Sequence, residues 1–357
     1  MTYIPFYLGI LIYSYLAKNS FYYKTILILS LSSIAVIFSY NYAPDTINYR
    51  GLANKFTFND LTFSAQWANI EPGYIFISAF FNALDIHYVW VFWLVSLIAI
   101  SIKINLITSF KEGHFYILLA YISYFFILHE MTQMRISVGI AFAIYAIKNM
   151  SDNKYFRGNL ILLVGSLFHY SVLGILIFNI FKIYKPSITT MWFVLIIILI
   201  STLIFEFSYR EFTEYYLRYL PFFERYAIYK FENLGTATLF RPKFLLIFFI
   251  IIIFTIIYNM QRDKISKFQL FCFYSIFISL YIYMIFYDIQ QVQVRMSELF
   301  LFPVIFLMPL IRNSFKQKKL VSLLIIISFI LFTYYYTNYT INFYDRNIEN
   351  YLPSDFR

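Results

Sequence analysis

The chain has 357 residues, 61% of them hydrophobic and only 13% charged, with a mean hydropathy of +0.69. Soluble domains are about 45–50% apolar and about 25% charged, so a soluble globular protein is excluded. Nine glycines and a single cysteine, Cys272, leave no Gly-rich nucleotide loop, disulfide framework or cysteine metal site.

The formal charge of +10 does not gather into one patch. Lys18 and Lys24, then Arg262, Lys264 and Lys267, then Arg312, Lys316, Lys318 and Lys319 all punctuate gaps between apolar runs. That is the positive-inside pattern of cytoplasmic loops, and no nucleic-acid partner is expected. The 44 Phe and 35 Tyr fit an AT-rich genome and interfacial aromatic belts better than carbohydrate stacking. The N-terminal MTYIPFYLGI lacks a basic start and an A-x-A site, so the first helix is expected to stay as an anchor.

In chain order, apolar runs predict helices over 3–17, 25–43, 72–85, 88–108, 115–130, 134–149, 158–181, 189–207, 243–259, 268–287, 298–311 and 320–340. A spanning helix needs about 20 apolar residues. The expectation is an all-α, polytopic membrane protein of about 10–12 transmembrane helices, some broken or re-entrant, forming a single transmembrane domain over 1–357. Two gaps are long, 44–70 and 208–243. Both mix charge with aromatics at helical spacing, as interfacial amphipathic helices do. No internal repeat or separate soluble domain is visible.

Strict alternation of twelve helices puts Lys111, and the cluster Lys148, Lys154 and Arg157, on the outer side, against the positive-inside rule. The conflict disappears if the runs after Glu71-Pro72-Gly73 and around Phe168-His169-Tyr170-Ser171 are broken or re-entrant. Irregular backbone at membrane depth survives only where it is buried in protein or lines a wet cavity. Both breaks therefore point to a site, with Asp45, Glu71, Arg135, His169, Arg225 and Arg295 on the extracytoplasmic side.

Charges within membrane helices are costly and usually functional. Arg135 opens an apolar helix in HEMTQMRISVGIAFA. Its guanidinium is a permanent fork matched to phosphate, whereas the bland alternative is a structural pair with Glu130, five residues earlier. His169 lies in LVGSLFHYSVLGIL; it is either a hydrogen-bonded core residue or a group that handles a proton near neutral pH. Asp45 precedes Tyr49 by four residues and shares its face if helical; capping and catalysis are both open to it. Glu71 with Pro72 also suits a helix start. Arg225 with Tyr226, in PFFERYAIY, and Arg295, in QQVQVRMSELF, add two more arginines. With Arg135 they have the composition of a multivalent anion site that holds a pyrophosphate without a metal. The four histidines are far apart, which argues against zinc.

These elements, taken in order, resemble the EpsG/Wzy family of repeat-unit polymerases. They are D-T-x-x-Y (Asp45, Thr46, Tyr49), E-P-G-Y (Glu71 to Tyr74), the arginine of MTQMRISVGIAFA, F-H-Y-S (Phe168 to Ser171), E-R-Y-x-x-Y (Glu224 to Tyr229) and R-x-S-E (Arg295 to Glu298). The likeness runs over roughly residues 40–310. Where the family often reads I-R-Q, this chain has Met134-Arg135-Ile136.

The resemblance implies a GT-C-like membrane glycosyltransferase of the bacterial inner membrane that polymerises O-antigen or capsule repeat units, inverting and without metal or cofactor. The donor is a growing glycan on undecaprenyl pyrophosphate; the acceptor is the non-reducing end of a lipid-linked repeat unit. Arg135, Arg295 and Arg225 then bind pyrophosphate, and Tyr49 and Tyr226 bind sugar. His169 is base or acceptor-orienting group, Asp45 its rival and Glu71 support. A flippase and a chain-length-regulating co-polymerase are the implied partners. The competing readings are a flippase or transporter of lipid-linked sugars, a related O-antigen ligase or acyltransferase, and a non-catalytic assembly subunit.

Overall fold

The computed structural model describes residues 3–16, 21–42, 45–61, 70–110, 113–204, 239–287 and 290–351. Among them there are helices and connections but no strand. The helices are α1 (Tyr3–Leu16), α2 (Phe21–Tyr42), α3 (Asp45–Ala53), α4 (Pro72–Ala83), α5 (Val89–Thr108) and α6 (His114–Ala120), which runs on as a π-helix (Tyr121–Glu130). Then come α7 (Met134–Ser151), α8 (Tyr155–Ser166), α9 (Ile180–Ile183), α10 (Ile188–Ile204), α11 (Pro242–Gln261), α12 (Lys267–Ile285), α13 (Gln290–Leu301), α14 (Met308–Ser314) and α15 (Lys318–Tyr351). Short 3₁₀ segments cover Phe58–Leu61, Tyr170–Asn179 and Phe302–Leu307.

Local chemistry sets several of these ends. The Ser266 hydroxyl accepts the Gln269 amide at 3.2 Å while the Gln269 side chain accepts the Ser266 amide at 3.0 Å, a capping box that starts α12. Pro242 occupies the first turn of α11, where its missing N–H costs no hydrogen bond.

Six helical stretches among the described residues are long and apolar enough to cross a membrane: Phe21–Ser39, Val89–Thr108, Pro242–Lys264, Lys267–Ile285, Gln293–Ser314 and Lys318–Tyr335. Three shorter apolar stretches, His114–Glu130, Tyr170–Ile183 and Ile188–Ile204, accompany them. The protein is all-α and polytopic.

The expected 158–181 helix is in fact two pieces. Helix α8 stops at Ser166 and the chain resumes as a 3₁₀ segment at Tyr170, so the interruption falls on Phe168-His169. Helix α4 has 12 residues, about 18 Å at 1.5 Å per residue and too short for a hydrocarbon core of about 30 Å. The expected 298–311 helix begins earlier, at Gln290, which puts Arg295 inside a helix and not in a preceding loop. In the first long gap, α3 is two-faced, with Tyr49 and Ala53 buried and Arg50 exposed. Residues 205–238 lie outside the described residues, and with them Arg225, Tyr226 and the amphipathic helix expected there.

The chain divides into two compact units: Met1–Tyr145 with Leu160–Val172 and Met308–Arg357, and Ala146–Asn159 with Leu173–Leu307. In the first, α2 packs along α5, and Tyr49, Phe56, Tyr74, Val91, Phe92, Met134 and Val138 share one buried cluster. In the second, α12 is the central helix, packed by α10, α11 and α13. The hydroxyls of Ser275 and Ser279 donate to the Phe300 and Ser297 carbonyls at 2.6 and 2.7 Å, tying α12 to α13. Cys272 is fully buried in α12.

Candidate functional site: an arginine between two interrupted helices

Within the first unit the two interruptions meet. Glu71 is extended (φ −69°, ψ 139°) and Pro72 takes the first turn of α4. The next amide, Gly73 N–H, donates to the Leu167 carbonyl at 2.7 Å. That donor belongs to the unsatisfied start of α4, and that acceptor to the unsatisfied end of α8. A Cβ on Gly73 would stand 2.7 Å from the Leu167 oxygen; only glycine permits this backbone approach.

Arg135 sits in the first turn of α7. Its Nη1 donates to Glu71 Oε2 at 2.6 Å, with side-chain exposures of 20% and 7%. The guanidinium lies 5.3 Å from the Tyr49 ring centre and 6.0 Å from that of Tyr74, within cation–π range. The Tyr74 hydroxyl donates to the Tyr49 carbonyl at 3.2 Å and so ties α4 to α3. Glu71 takes Nη1 and the Tyr49 side chain also bonds the guanidinium; among the described residues the buried Nε has no hydrogen-bond partner. A guanidinium has two bidentate edges; the one-fifth of this side chain that stays exposed, next to the positive end of α7, is the part an outside anion can meet.

His169 enters through α7 as well. Gly139 follows Arg135 by four residues, one turn or about 6 Å along the helix. A Cβ there would fall 3.0 Å from His169 Cβ and 2.7 Å from Val172 Cγ2. A turn further on, Phe142 stacks on Phe168 with ring centres 6.2 Å apart. The interrupted segment thus lies along the face of α7 that carries Arg135. The Ser171 amide donates to His169 Nδ1 at 3.3 Å, and the Ser171 hydroxyl lies 2.6 Å from the same nitrogen. An amide N–H can only donate, so Nδ1 accepts, and the proton of the neutral ring resides on Nε2. In this state His169 presents a donor, not a base.

Asp45 begins α3, the helix that carries Tyr49. Arg295 is exposed on α13, in the second unit. Glu130 does not pair with Arg135. It pairs with Lys103 of α5 inside the first unit, and its carboxylate also accepts from the Ser137 hydroxyl and, at 2.8 Å, from the Tyr121 hydroxyl. Sequence reasoning did not single out Lys103, although it is the one charge in the apolar run VWVFWLVSLIAISIKINLIT and the insertion cost of a charge marks such a residue. A third pair, Lys243 with Glu298, lies in the second unit. Among the described residues, no three His, Cys, Asp or Glu side chains come together as a metal site requires.

Fold and site define a class: an all-α, multi-pass membrane protein whose charged centre is an arginine held where two helices are interrupted. The EpsG family model matches residues 4–353, almost the whole chain, and the chain belongs to the EpsG family. It is accordingly a polysaccharide-polymerase-like membrane protein. No curated protein and no solved structure matches it.

Proposed function

We propose that the chain is a glycan polymerase of the bacterial inner membrane that transfers a growing saccharide from undecaprenyl pyrophosphate to the non-reducing end of a lipid-linked repeat unit, with inversion and without a metal. The observation that carries this reading is the Arg135 fork, paired at one corner with Glu71 and still one-fifth exposed beside a helix N-terminus. A leaving pyrophosphate gathers negative charge as the glycosidic bond breaks. A preorganised guanidinium stabilises that charge most in the transition state.

In the reaction, an acceptor hydroxyl oxygen attacks the anomeric carbon from the face opposite the pyrophosphate. The carbon–oxygen bond to phosphate breaks, and the pyrophosphate departs on its lipid with the electron pair. His169, with its proton on Nε2, orients the acceptor by donating to a sugar oxygen. Glu71 Oε2 already receives the Arg135 donor, which leaves Asp45 to take the hydroxyl proton. Tyr49 flanks the sugars. Arg295 and Arg225 keep the role that the resemblance implies for them, binding the pyrophosphate of the lipid-linked substrate. A flippase that supplies the repeat unit and a chain-length-regulating co-polymerase are the expected partners.

In vitro extension of a defined lipid-linked repeat unit by the purified protein tests the reading. Wild type should yield a ladder of products, and Arg135→Ala should leave only the starting unit. In cells, deletion should remove long chains while one repeat unit is still attached; loss of even that unit would mark a flippase or ligase. Cysteines introduced at positions 111 and 154 should label only from the cytoplasmic side, as the two interruptions require.

A further inference from the structure

The second unit holds a charged pair that the reaction above does not use. Lys243 lies in the first turn of α11, and its ammonium donates to Glu298 Oε1 at 2.7 Å and to the Val294 carbonyl at 3.3 Å. Val294 and Glu298 are one turn apart on α13 and share a face, while Arg295, between them in sequence, is exposed. The Glu298 side chain is 4% exposed, and its other oxygen, Oε2, is buried with no hydrogen-bond partner among the described residues. Buried polar atoms are almost always paired, so an orphaned carboxylate oxygen beside an ammonium calls for an external donor.

The chemistry of that donor follows from the two groups. A second anion is repelled by Glu298, so phosphate does not suit the orphaned oxygen. An ammonium has three N–H groups, and two of those on Lys243 are taken. Carboxylate acceptor and ammonium donor together match a group that both gives and accepts a hydrogen bond: a sugar hydroxyl, or two adjacent hydroxyls of one ring. We propose that Lys243 and Glu298 form a saccharide-binding subsite of the second unit that grips hydroxyls of the repeat unit. The proposal rests on the polymerase reading for the identity of the saccharide. Glu298 is a binding residue here, and no bond is made or broken at it.

The probe is the soluble oligosaccharide released from the lipid-linked repeat unit by mild acid, free of lipid and pyrophosphate. Saturation-transfer NMR on the full-length protein in nanodiscs should detect sugar protons with wild type and with Arg135→Ala. Affinity should fall by about 10-fold or more, the cost of losing a hydrogen bond to a charged acceptor, in Glu298→Gln. Lys243→Gln reaches the same subsite from the other partner and should weaken binding likewise; melting curves identify either variant if it fails to fold. In the extension assay, Glu298→Gln should raise KM for the lipid-linked unit more than it lowers kcat, while inhibition by inorganic pyrophosphate stays at the wild-type value. Wild-type affinity in both folded variants, or no binding by wild type, overturns the subsite. An altered pyrophosphate inhibition constant would make it an anion site and overturn it too. If wild type binds the oligosaccharide through Glu298 but makes no polymer, the subsite stands and the polymerase reading falls. If wild type polymerises and both folded variants bind normally, the reverse holds.

Discussion

Two ion pairs in the first unit sit close together along the chain and are built to opposite ends. Lys103 and Glu130 are both 0% exposed, and both oxygens of the carboxylate are taken: Lys103 and Tyr121 share one and Ser137 holds the other. Arg135, five residues beyond Glu130, keeps 20% of its side chain exposed and, among the described residues, leaves Nε unpartnered. The first pair is closed, and closure is what a buried charge needs to persist in an apolar interior. The second stays partly exposed, and a guanidinium within reach of solvent at a helix start is a place for something not part of the chain. The useful signal is therefore whether the pair's hydrogen-bonding capacity is exhausted, more than its presence or depth.

The largest effect expected from this contrast is on folding. Glu130→Ala leaves Lys103 charged and uncompensated, a change that costs about 3–5 kcal/mol, and should collapse the thermal stability of protein in nanodiscs. Replacing both Lys103 and Glu130 by Met should restore much of that stability, since apolar substitution of a whole buried pair is often neutral. A double variant that melts as low as the single one would mean the pair does more than fill space.

Arg135→Ala should behave in the opposite way. Removing one charge-stabilising donor costs about 100- to 1,000-fold in rate, and the extension assay should register that loss; Glu71, 7% exposed, loses its partner too, so the melting temperature should fall, but by less than in Glu130→Ala. Arg135→Lys keeps the charge but loses the fork and should recover only a small part of the activity. A large drop in melting temperature with proportionate activity would place this pair in the structural class after all.

Gly73→Ala is intermediate, because it forces a methyl to within 2.7 Å of the Leu167 oxygen. Overpacking of this kind costs about 1–3 kcal/mol. It should also separate Glu71 from Arg135, so rate should fall more than stability alone accounts for. The smallest effect belongs to Ser171→Ala, which removes the hydroxyl near Nδ1 but keeps the amide donor. Less than about 1.5 kcal/mol is at stake in one neutral hydrogen bond. The ring should therefore hold its tautomer by 15N NMR, with activity reduced only a few-fold.

Much of the fold is readable from the chain because a spanning segment must be apolar throughout. The run at 88–108 becomes Val89–Thr108, and that at 268–287 becomes Lys267–Ile285. The interruption at Phe168-His169 is also readable, from polar residues and a charge imbalance that plain alternation cannot absorb. The pairing of charges is different. Nothing local says that Arg135 meets Glu71, 64 residues away, while Glu130 stands five residues off. That choice is made in the buried cluster where Tyr49, Tyr74, Val91, Met134 and Val138 come together. The start of α13 is not legible in the same way, because QQVQVR is too polar to extend an apolar run although it is helical.

The bond from Gly73 N–H to the Leu167 carbonyl carries one more consequence. Each interruption supplies the backbone group that the other lacks, so the two breaks are a single feature written at two distant places in the chain. A lineage that straightened one of them would strand an unpaired peptide group at the other inside an apolar interior. Among descendants of a common ancestor, the glycine after Glu71-Pro72 and the non-helical turn before Tyr170 should therefore be kept together or lost together. An alignment in which either varies freely without the other would contradict that linkage.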